Sequence, residues 1–81
     1  MRALYTARFI RQLDDAPAEI RRAFSKQLTV LLQNLRHSSL HSKKYDEARD
    51  IWQGRVTGSW RFYFRIEGDT YQFLGIRSHP K

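Results

Sequence analysis

Several residue types are absent or scarce in this chain. It has no cysteine, two prolines and four glycines among 81 residues. Without cysteine, the chain cannot form disulfide bonds, thiolate metal sites or a cysteine nucleophile. No apolar run approaches the ~18 residues of a membrane-spanning helix, and residues 1–6 contain no hydrophobic export segment. We therefore expect a cytoplasmic protein that is not inserted in a membrane.

Sequence patterns for bound metals and cofactors are also absent. No His-x-x-x-His pair falls on a predicted helix, and the carboxylates are scattered along the chain. The four glycines stand singly at positions 54, 58, 68 and 75, so they form no Gly-rich phosphate loop. We expect neither a metal ion nor an organic cofactor.

Positive charge is the strongest compositional feature. Fifteen Lys and Arg oppose eight Asp and Glu, which gives a formal net charge of +7. Such a field attracts polyanions, whether nucleic acid, an acidic protein or an anionic surface. The hydrophobic fraction of 41% is too high for a disordered chain, and the length allows one domain, residues 1–81.

The first half of the chain predicts a strand and two helices. Residues 2–5 can form a short strand, and Thr6 is a plausible N-cap for a helix containing Phe9 and Leu13. Residues 14–17 end that helix, and Pro17 opens the next. The second helix has one apolar stripe, typical of a helix that lies on a sheet: Ile20, Phe24, Leu28, Leu31 and Leu35.

Residues 36–50 show no periodicity and read as a long polar connection. We expect it to be ordered by Leu40 and Tyr45 packing inward. Long connections in compact domains are often functional.

Period-two alternation then predicts three antiparallel strands. In residues 60–66 the even positions face the core and the odd positions face away. A turn at Gly68-Asp69 places Phe64 opposite Phe73, and it leaves Gln72, Leu74 and Ile76 near the outer face. The strand 51–56 is joined to the strand 60–66 by a loop. A three-residue loop, residues 57–59, is favoured because a two-residue loop would turn Arg55 toward the core.

These elements predict an α+β fold of order β-α-α-β-β-β. A helical hairpin packs on one face of a small antiparallel sheet, and the first strand joins at an edge or beside the last strand.

The opposite face of the sheet concentrates cations. Arg55, Arg61 and Arg65 share it with Tyr63, and no acidic residue interrupts the two strands. A guanidinium group donates two parallel hydrogen bonds to phosphate and keeps its charge. We interpret the cluster as a phosphate-binding patch, although such arginines can also serve only to keep a sheet soluble.

RNA cleavage without a metal requires a general base, cations at the phosphorus and a general acid. His79 follows the strand beside the arginines and is the candidate acid, since imidazole exchanges protons near neutral pH. His41, Lys43 and Lys44 can lean over the sheet from the connection, whereas His37 is interpreted as solvated.

Three segments follow one another in a characteristic order: YTARFIRQL, LLQNLRHSSLHSKK and DIWQGRVTGSWRFYFRIEGDTYQFLGIRSHPK. The most specific piece is W-x-x-R-V-x-x-x-x-R-x-x-F, followed by a terminal R-x-H. In this order and at this length, the chain resembles the RelE/ParE superfamily, the small toxins of type II toxin–antitoxin modules.

The resemblance implies a ribosome-dependent mRNA interferase that cuts mRNA in the decoding site and is held inactive by a cognate antitoxin. The antitoxin is expected to be acidic, since it must neutralise a +7 toxin. The expected partners are thus an antitoxin, the ribosome and mRNA, without a membrane or a metal.

Site residues follow from the resemblance position by position. Arg61 matches the arginine that binds the scissile phosphate in the RelE and YoeB branches, and Arg55 matches an arginine of the preceding strand. His79 matches the terminal histidine of the YoeB-like pattern. These three are the expected catalytic residues, and five others are expected to bind substrate: Lys43, Lys44, Tyr63, Arg65 and Arg77.

The chain departs from the family pattern at two places. The catalytic glutamate of YoeB-like toxins aligns with Ser42, while Glu47 is shifted, so the general base stays unassigned. Pro80 and Lys81 stand where many relatives have a tyrosine. The ParE branch, which acts on DNA gyrase, is the alternative, and a catalytically weak or inactive basic binding module is another.

Overall fold

Two helices lie on a five-stranded sheet in the computed structural model, which describes residues 1–79. Pro80 and Lys81, at the position of the tyrosine found in many relatives, lie outside the described residues. The elements are β1 (Arg2–Tyr5), α1 (Ala7–Asp15), α2 (Ala18–Gln33), β2 (Lys43–Asp46), β3 (Ile51–Thr57), β4 (Trp60–Glu67) and β5 (Thr70–Ser78). Neither helix of residues 1–79 has the length and apolar character of a membrane-spanning segment.

The sheet has the strand order β1-β5-β4-β3-β2. The strand β1 lies at one edge and pairs in parallel with β5, while the other neighbours are antiparallel. The predicted α+β class and element order are confirmed, and the predicted place of the first strand beside the last is also found. The structure adds β2, which makes the sheet five-stranded and mixed.

Aromatic rings fill the space between the helices and the sheet. Phe62, Phe64 and Phe73 project from β4 and β5 and are completely buried. Phe9 of α1 and Phe24 of α2 pack on them, with ring centroids 5.5 Å from Phe73 and 5.4 Å from Phe62 respectively. The predicted pairing of Phe64 with Phe73 is observed, and Gly68 adopts the expected positive φ of 58° in the turn.

Both helices begin where the sequence predicts, but α2 ends at Gln33, so Leu35, the last member of the predicted apolar stripe, lies beyond the helix. Thr6 caps α1, since its hydroxyl accepts a hydrogen bond from the Phe9 N–H at 3.1 Å. The backbone is extended at Ala16 and Pro17, which separates the two helices. One buried member of α2 was not predicted: the Gln27 amide donates to the carbonyl oxygens of Ser39 and Arg55, and so ties the helix to β3.

Two bulges set the faces of the three long strands. Arg55 pairs with Arg61 in the register of the predicted three-residue loop, but the loop has two residues because Val56 is bulged. A second bulge at Leu74 shifts the end of β5 by one residue. The expectation that Ile76 lies near the outer face is therefore wrong: Ile76 is buried, and Arg77 takes the outward position.

The connection of residues 36–50 is more structured than predicted. Leu40 is completely buried at the end of a short 3-10 turn, as expected. Tyr45 was expected to pack inward, but its side chain is 52% exposed on β2, on the side of the sheet away from the helices. The polar segment lacks an apolar alternation, which is why β2 was read as a loop.

Candidate nucleic-acid interface

Three arginines form a row across neighbouring strands on the outer face, the side of the sheet opposite the helices. Arg55 of β3 pairs with Arg61 of β4, and Arg61 pairs in turn with Arg77 of β5. Cross-strand partners have Cβ atoms about 5 Å apart. Like charges in that arrangement destabilise a sheet unless an anion lies between them. We call Arg55, Arg61 and Arg77 the arginine row.

The guanidinium groups of the row are held by polar contacts rather than by carboxylates. Among residues 1–79, the ion pairs involve Lys44 and Arg49 and not the row. Arg61 Nη1 donates to the carbonyl oxygens of Thr57 at 2.7 Å and Trp60 at 3.0 Å, which fixes the side chain over the β3–β4 turn. Because a guanidinium has five N–H donors, most of them are left to bind an anion.

His79 lies beside the same turn. Its backbone N–H donates to the Ser59 carbonyl at 2.6 Å, and its neighbour Ser78 pairs with Trp60. His79 is exposed and stands two residues after Arg77, a spacing that returns a strand to the same face. The expected acid thus follows Arg77, at the end of the row opposite Arg55.

A second imidazole reaches the other end of the row. His41 Nε2 lies 3.3 Å from Arg55 Nη1. The backbone of His41 is left-handed, with φ 46° and ψ 42°, and this ends the 3-10 turn Ser38–Leu40. The sequence placed His41 in a connection able to lean over the sheet, but nothing in it indicated the contact with Arg55.

An open cavity of about 370 Å³ connects this histidine to the row. It is lined by His41, Ser42, Lys43, Gln53 and Arg61. The cavity therefore carries two cations and an imidazole, a combination suited to a phosphodiester. The Ser42 hydroxyl is buried and has no hydrogen-bond partner in the described part of the chain, so it is not exposed to a ligand in this cavity.

The two adjacent lysines of β2 lie on opposite faces. Lys43 pairs with Gln53 and lines the cavity on the outer face. Lys44 pairs with Trp52, lies 5.2 Å from its indole ring, and contacts Asp50 at 2.5 Å. The hydrogen bond to Asp50 is the main reason that the pKa of Lys44 is raised. The structure does not bring Lys44 to the site.

Arg65 and Tyr63 continue the outer face beyond the row. Tyr63 is two residues from Arg61 and is largely buried beneath Tyr45 and Arg77. Arg65 Nε donates to the Arg49 carbonyl at 3.0 Å. Since four residues of a strand span about 13 Å, Arg65 is too far from Arg61 to bind the same phosphate. Arg77, and not Arg65, completes the predicted group of three guanidiniums.

The lysine pair provides a matched test of this placement. We expect Lys43→Ala to weaken the binding of a short single-stranded RNA about threefold to tenfold, because it removes a charge next to the cavity. Lys44→Ala removes the same charge from the other face and is expected to leave RNA binding unchanged. Dissociation constants are measured for the two purified variants with the same RNA, and equal weakening in both would contradict the assignment.

No protein-family model matches this chain, and no curated protein matches it significantly in sequence. Solved structures do match. A toxin from Agrobacterium tumefaciens described as YoeB/ParE superposes with a TM-score of 0.82 and 14% identity, covering 99% of this chain and 100% of that one.

Two further solved structures share the fold of this chain. YafQ from E. coli has a TM-score of 0.76 and 13% identity, covering 98% of this chain and 94% of its own. RelE, in the RelB–RelE antitoxin–toxin complex from Methanococcus jannaschii, has a TM-score of 0.74 and 22% identity, covering 93% and 88%. The chain therefore has the fold of the RelE/YoeB-like toxin superfamily, as its sequence predicts.

Proposed function

We propose that this protein is the toxin of a type II toxin–antitoxin module and a ribosome-dependent endoribonuclease that cleaves mRNA without a metal. The observation that carries the proposal is the arginine row, with His41 against Arg55 at one end and His79 two residues after Arg77 at the other. The fold is consistent with this function. Its substrate would place the protein in the cytoplasm.

The row and the two imidazoles supply the parts that RNA cleavage requires. His41 accepts the proton of the 2′-hydroxyl, and the 2′-oxygen attacks the adjacent phosphorus. The arginine row stabilises the negative charge that develops on the phosphorane. The bond from phosphorus to the 5′-oxygen breaks while His79 donates a proton to that oxygen. The products are a 2′,3′-cyclic phosphate and a free 5′-hydroxyl.

His41 is proposed as the base because neither alternative on the chain fits. Glu47 has a side chain that is 81% exposed and lies 3.8 Å from Lys44, which belongs to the helix side of the sheet. Ser42 lines the cavity, but its hydroxyl is not basic enough to take a proton from another hydroxyl. The imidazole of His41 can accept a proton, and it contacts Arg55 of the arginine row directly.

The two histidine roles predict a loss of rate in each variant. We expect His41→Gln and His79→Gln each to lower the maximal rate of cleavage by about 10²–10⁴-fold, because each removes a group that transfers a proton in the transition state.

Single-turnover cleavage on purified ribosomes checks both roles. His37→Gln is the control, since His37 belongs to the same connection but accepts a hydrogen bond from the Ser39 N–H away from the row. An undiminished rate in His41→Gln would remove His41 from the mechanism.

An acidic antitoxin is the partner that this proposal requires. The M. jannaschii RelE structure is a complex with the antitoxin RelB. A chain with net charge +7 and an exposed arginine row favours a partner of opposite sign. Such a partner would cover the row, or hold it away from the ribosome.

Mapping of mRNA 5′ ends after brief induction tests the function directly. Ribosome-dependent cleavage should produce cuts at a fixed position within codons. Gyrase inhibition, the alternative, should instead induce a DNA-damage response while mRNA stays intact. A basic module without activity should produce neither, and either of these two outcomes would overturn the proposal.

A further inference from the structure

A cavity of about 330 Å³ opens on the outer face next to the arginine row. Tyr63 and Tyr45 form an aromatic corner within it, with ring centroids 4.8 Å apart and planes at 62°. Ile51 and Leu74 add an apolar surface. Tyr63 is only 7% exposed whereas Tyr45 is 52% exposed, so a ligand ring can stack on Tyr45. The volume of the cavity is at the lower end of the range for small-ligand sites.

Three guanidinium groups surround this aromatic corner. Arg8 comes from α1, Arg49 from the β2–β3 connection and Arg77 from β5. Arg49 is offset in part by Asp46, which lies 3.8 Å away. The cavity therefore keeps a net positive charge around an aromatic surface, which is the pattern of sites that bind single-stranded nucleic acid.

Arg77 joins the cavity to the row. Its guanidinium lies 4.7 Å from the centre of the Tyr63 ring, and Nη2 donates to the Tyr45 hydroxyl at 3.3 Å. Tyr63 pairs with Gly75, and this pair lies two residues along β4 and β5 from the pair of Arg61 and Arg77. Because two residues of a strand span about 7 Å, the cavity begins one nucleotide step from the row.

Gln12 supplies a polar group with a fixed orientation. Its Oε1 accepts a hydrogen bond from the Ile76 N–H at 2.9 Å, where β5 has passed the end of β1. The other end of the side-chain amide is the NH₂ group, which can donate to an acceptor on a ligand. A base edge offers such acceptors.

We propose that this cavity binds the base of the mRNA nucleotide next to the scissile phosphate and so sets a sequence preference for cleavage. This inference rests on the proposed endoribonuclease function. The base stacks on Tyr45, Gln12 contacts its edge, and Arg8 and Arg49 face the neighbouring phosphate. An acidic antitoxin side chain would use the arginines but would leave the aromatic surface and the amide donor without a role.

The first test measures base preference at the cut site. In Tyr45→Ala, cutting should slow and the preference for one base beside the cut should fall about tenfold, because Gln12 contacts the edge of the base only while the base is stacked on the ring. Tyr45→Phe keeps the ring and should keep the preference. Leu4→Ala is the control for truncation of an exposed apolar side chain, since Leu4 is 58% exposed on the opposite edge strand. Unchanged preference in Tyr45→Ala would overturn the inference.

The second test does not depend on ribosomes or on cleavage. Amide NMR spectra of the purified protein are recorded with each of the four nucleoside 5′-monophosphates. We expect shifts of Gly75 and of the Gln12 side-chain amide, unequal affinities among the bases, and about tenfold weaker binding in Tyr45→Ala.

The outcomes of the two tests separate the two proposals. Base-selective binding by a protein that does not cut mRNA would preserve the cavity as a nucleotide site and refute the endoribonuclease function. Cleavage without any base-selective binding would refute the cavity assignment alone. Weaker antitoxin binding in Tyr45→Ala, with binding of the monophosphates unchanged, would assign the cavity to the antitoxin and overturn the inference.

Discussion

Arg61→Ala is expected to lower the rate of mRNA cleavage by about 10²–10³-fold, the usual loss when a main donor to a transition-state oxyanion is removed. Arg61 is the middle member of the arginine row and has Arg55 and Arg77 as direct neighbours. It therefore contacts any phosphate that the row binds. Arg61→Lys keeps the charge but loses the two parallel donors, so it should restore only part of the rate.

Folding of Arg61→Ala has to be measured alongside its activity. The side chain donates to the Thr57 and Trp60 carbonyl oxygens, and loss of these bonds should cost about 1–2 kcal/mol of the free energy of unfolding. Arg22→Ala is the matched control, because it removes the same charge from an exposed position on α2. Undiminished growth arrest by a folded Arg61→Ala protein would rule out the nuclease assignment.

Gly54→Ala should produce the largest loss of stability of any single methyl addition to the strands. A Cβ at position 54 would lie 2.6 Å from Phe62 Cε1 and closer still to Cζ. Phe62 cannot move aside, because it is completely buried and packs against Phe24, Phe64 and Phe73. We expect a cost of about 3 kcal/mol, the upper end for overpacking a core.

Thermal unfolding followed by circular dichroism measures this cost. A loss of that size should lower the Tm by roughly 12–24 °C in a domain of this length. Gly58→Ala is the control, since the nearest atom to its added methyl is Arg55 Nη2 at an ordinary 3.5 Å. Equal melting temperatures for the two variants would show that Phe62 does not pack over Gly54 as described.

Strong periodicity made the centre of the fold predictable. The alternation of residues 60–66 determined which side of β4 faces the helices, and Gly68 fixed the turn that pairs Phe64 with Phe73. The charge cost of burying Arg55 selected the correct pairing with Arg61. In each case a single wrong register would have exposed aromatic rings or buried a charge.

The composition of the site was less predictable, because bulges leave no pattern in the sequence. Without the bulge at Leu74, Ile76 would pair with Arg61. The bulge shifts the register so that Arg77 pairs with Arg61, and Arg77 is the third cation of the row. The contact of His41 with Arg55 depends on a left-handed residue in a polar connection, which no periodicity indicates. Tyr45 was misplaced for a related reason, since β2 is too short and polar to show alternation.

Cleavage of a defined mRNA held on purified ribosomes, followed by analysis of the chemical ends of the fragments, tests the proposal that the arginine row and its two histidines cleave RNA by attack of the 2′-hydroxyl. We expect a single cut within the decoding-site codon that leaves a 2′,3′-cyclic phosphate and a 5′-hydroxyl in the wild type, and about 10²–10³-fold slower cutting in Arg61→Ala. Intact mRNA with the wild-type protein, or fragments that carry a 5′-phosphate, would refute this mechanism.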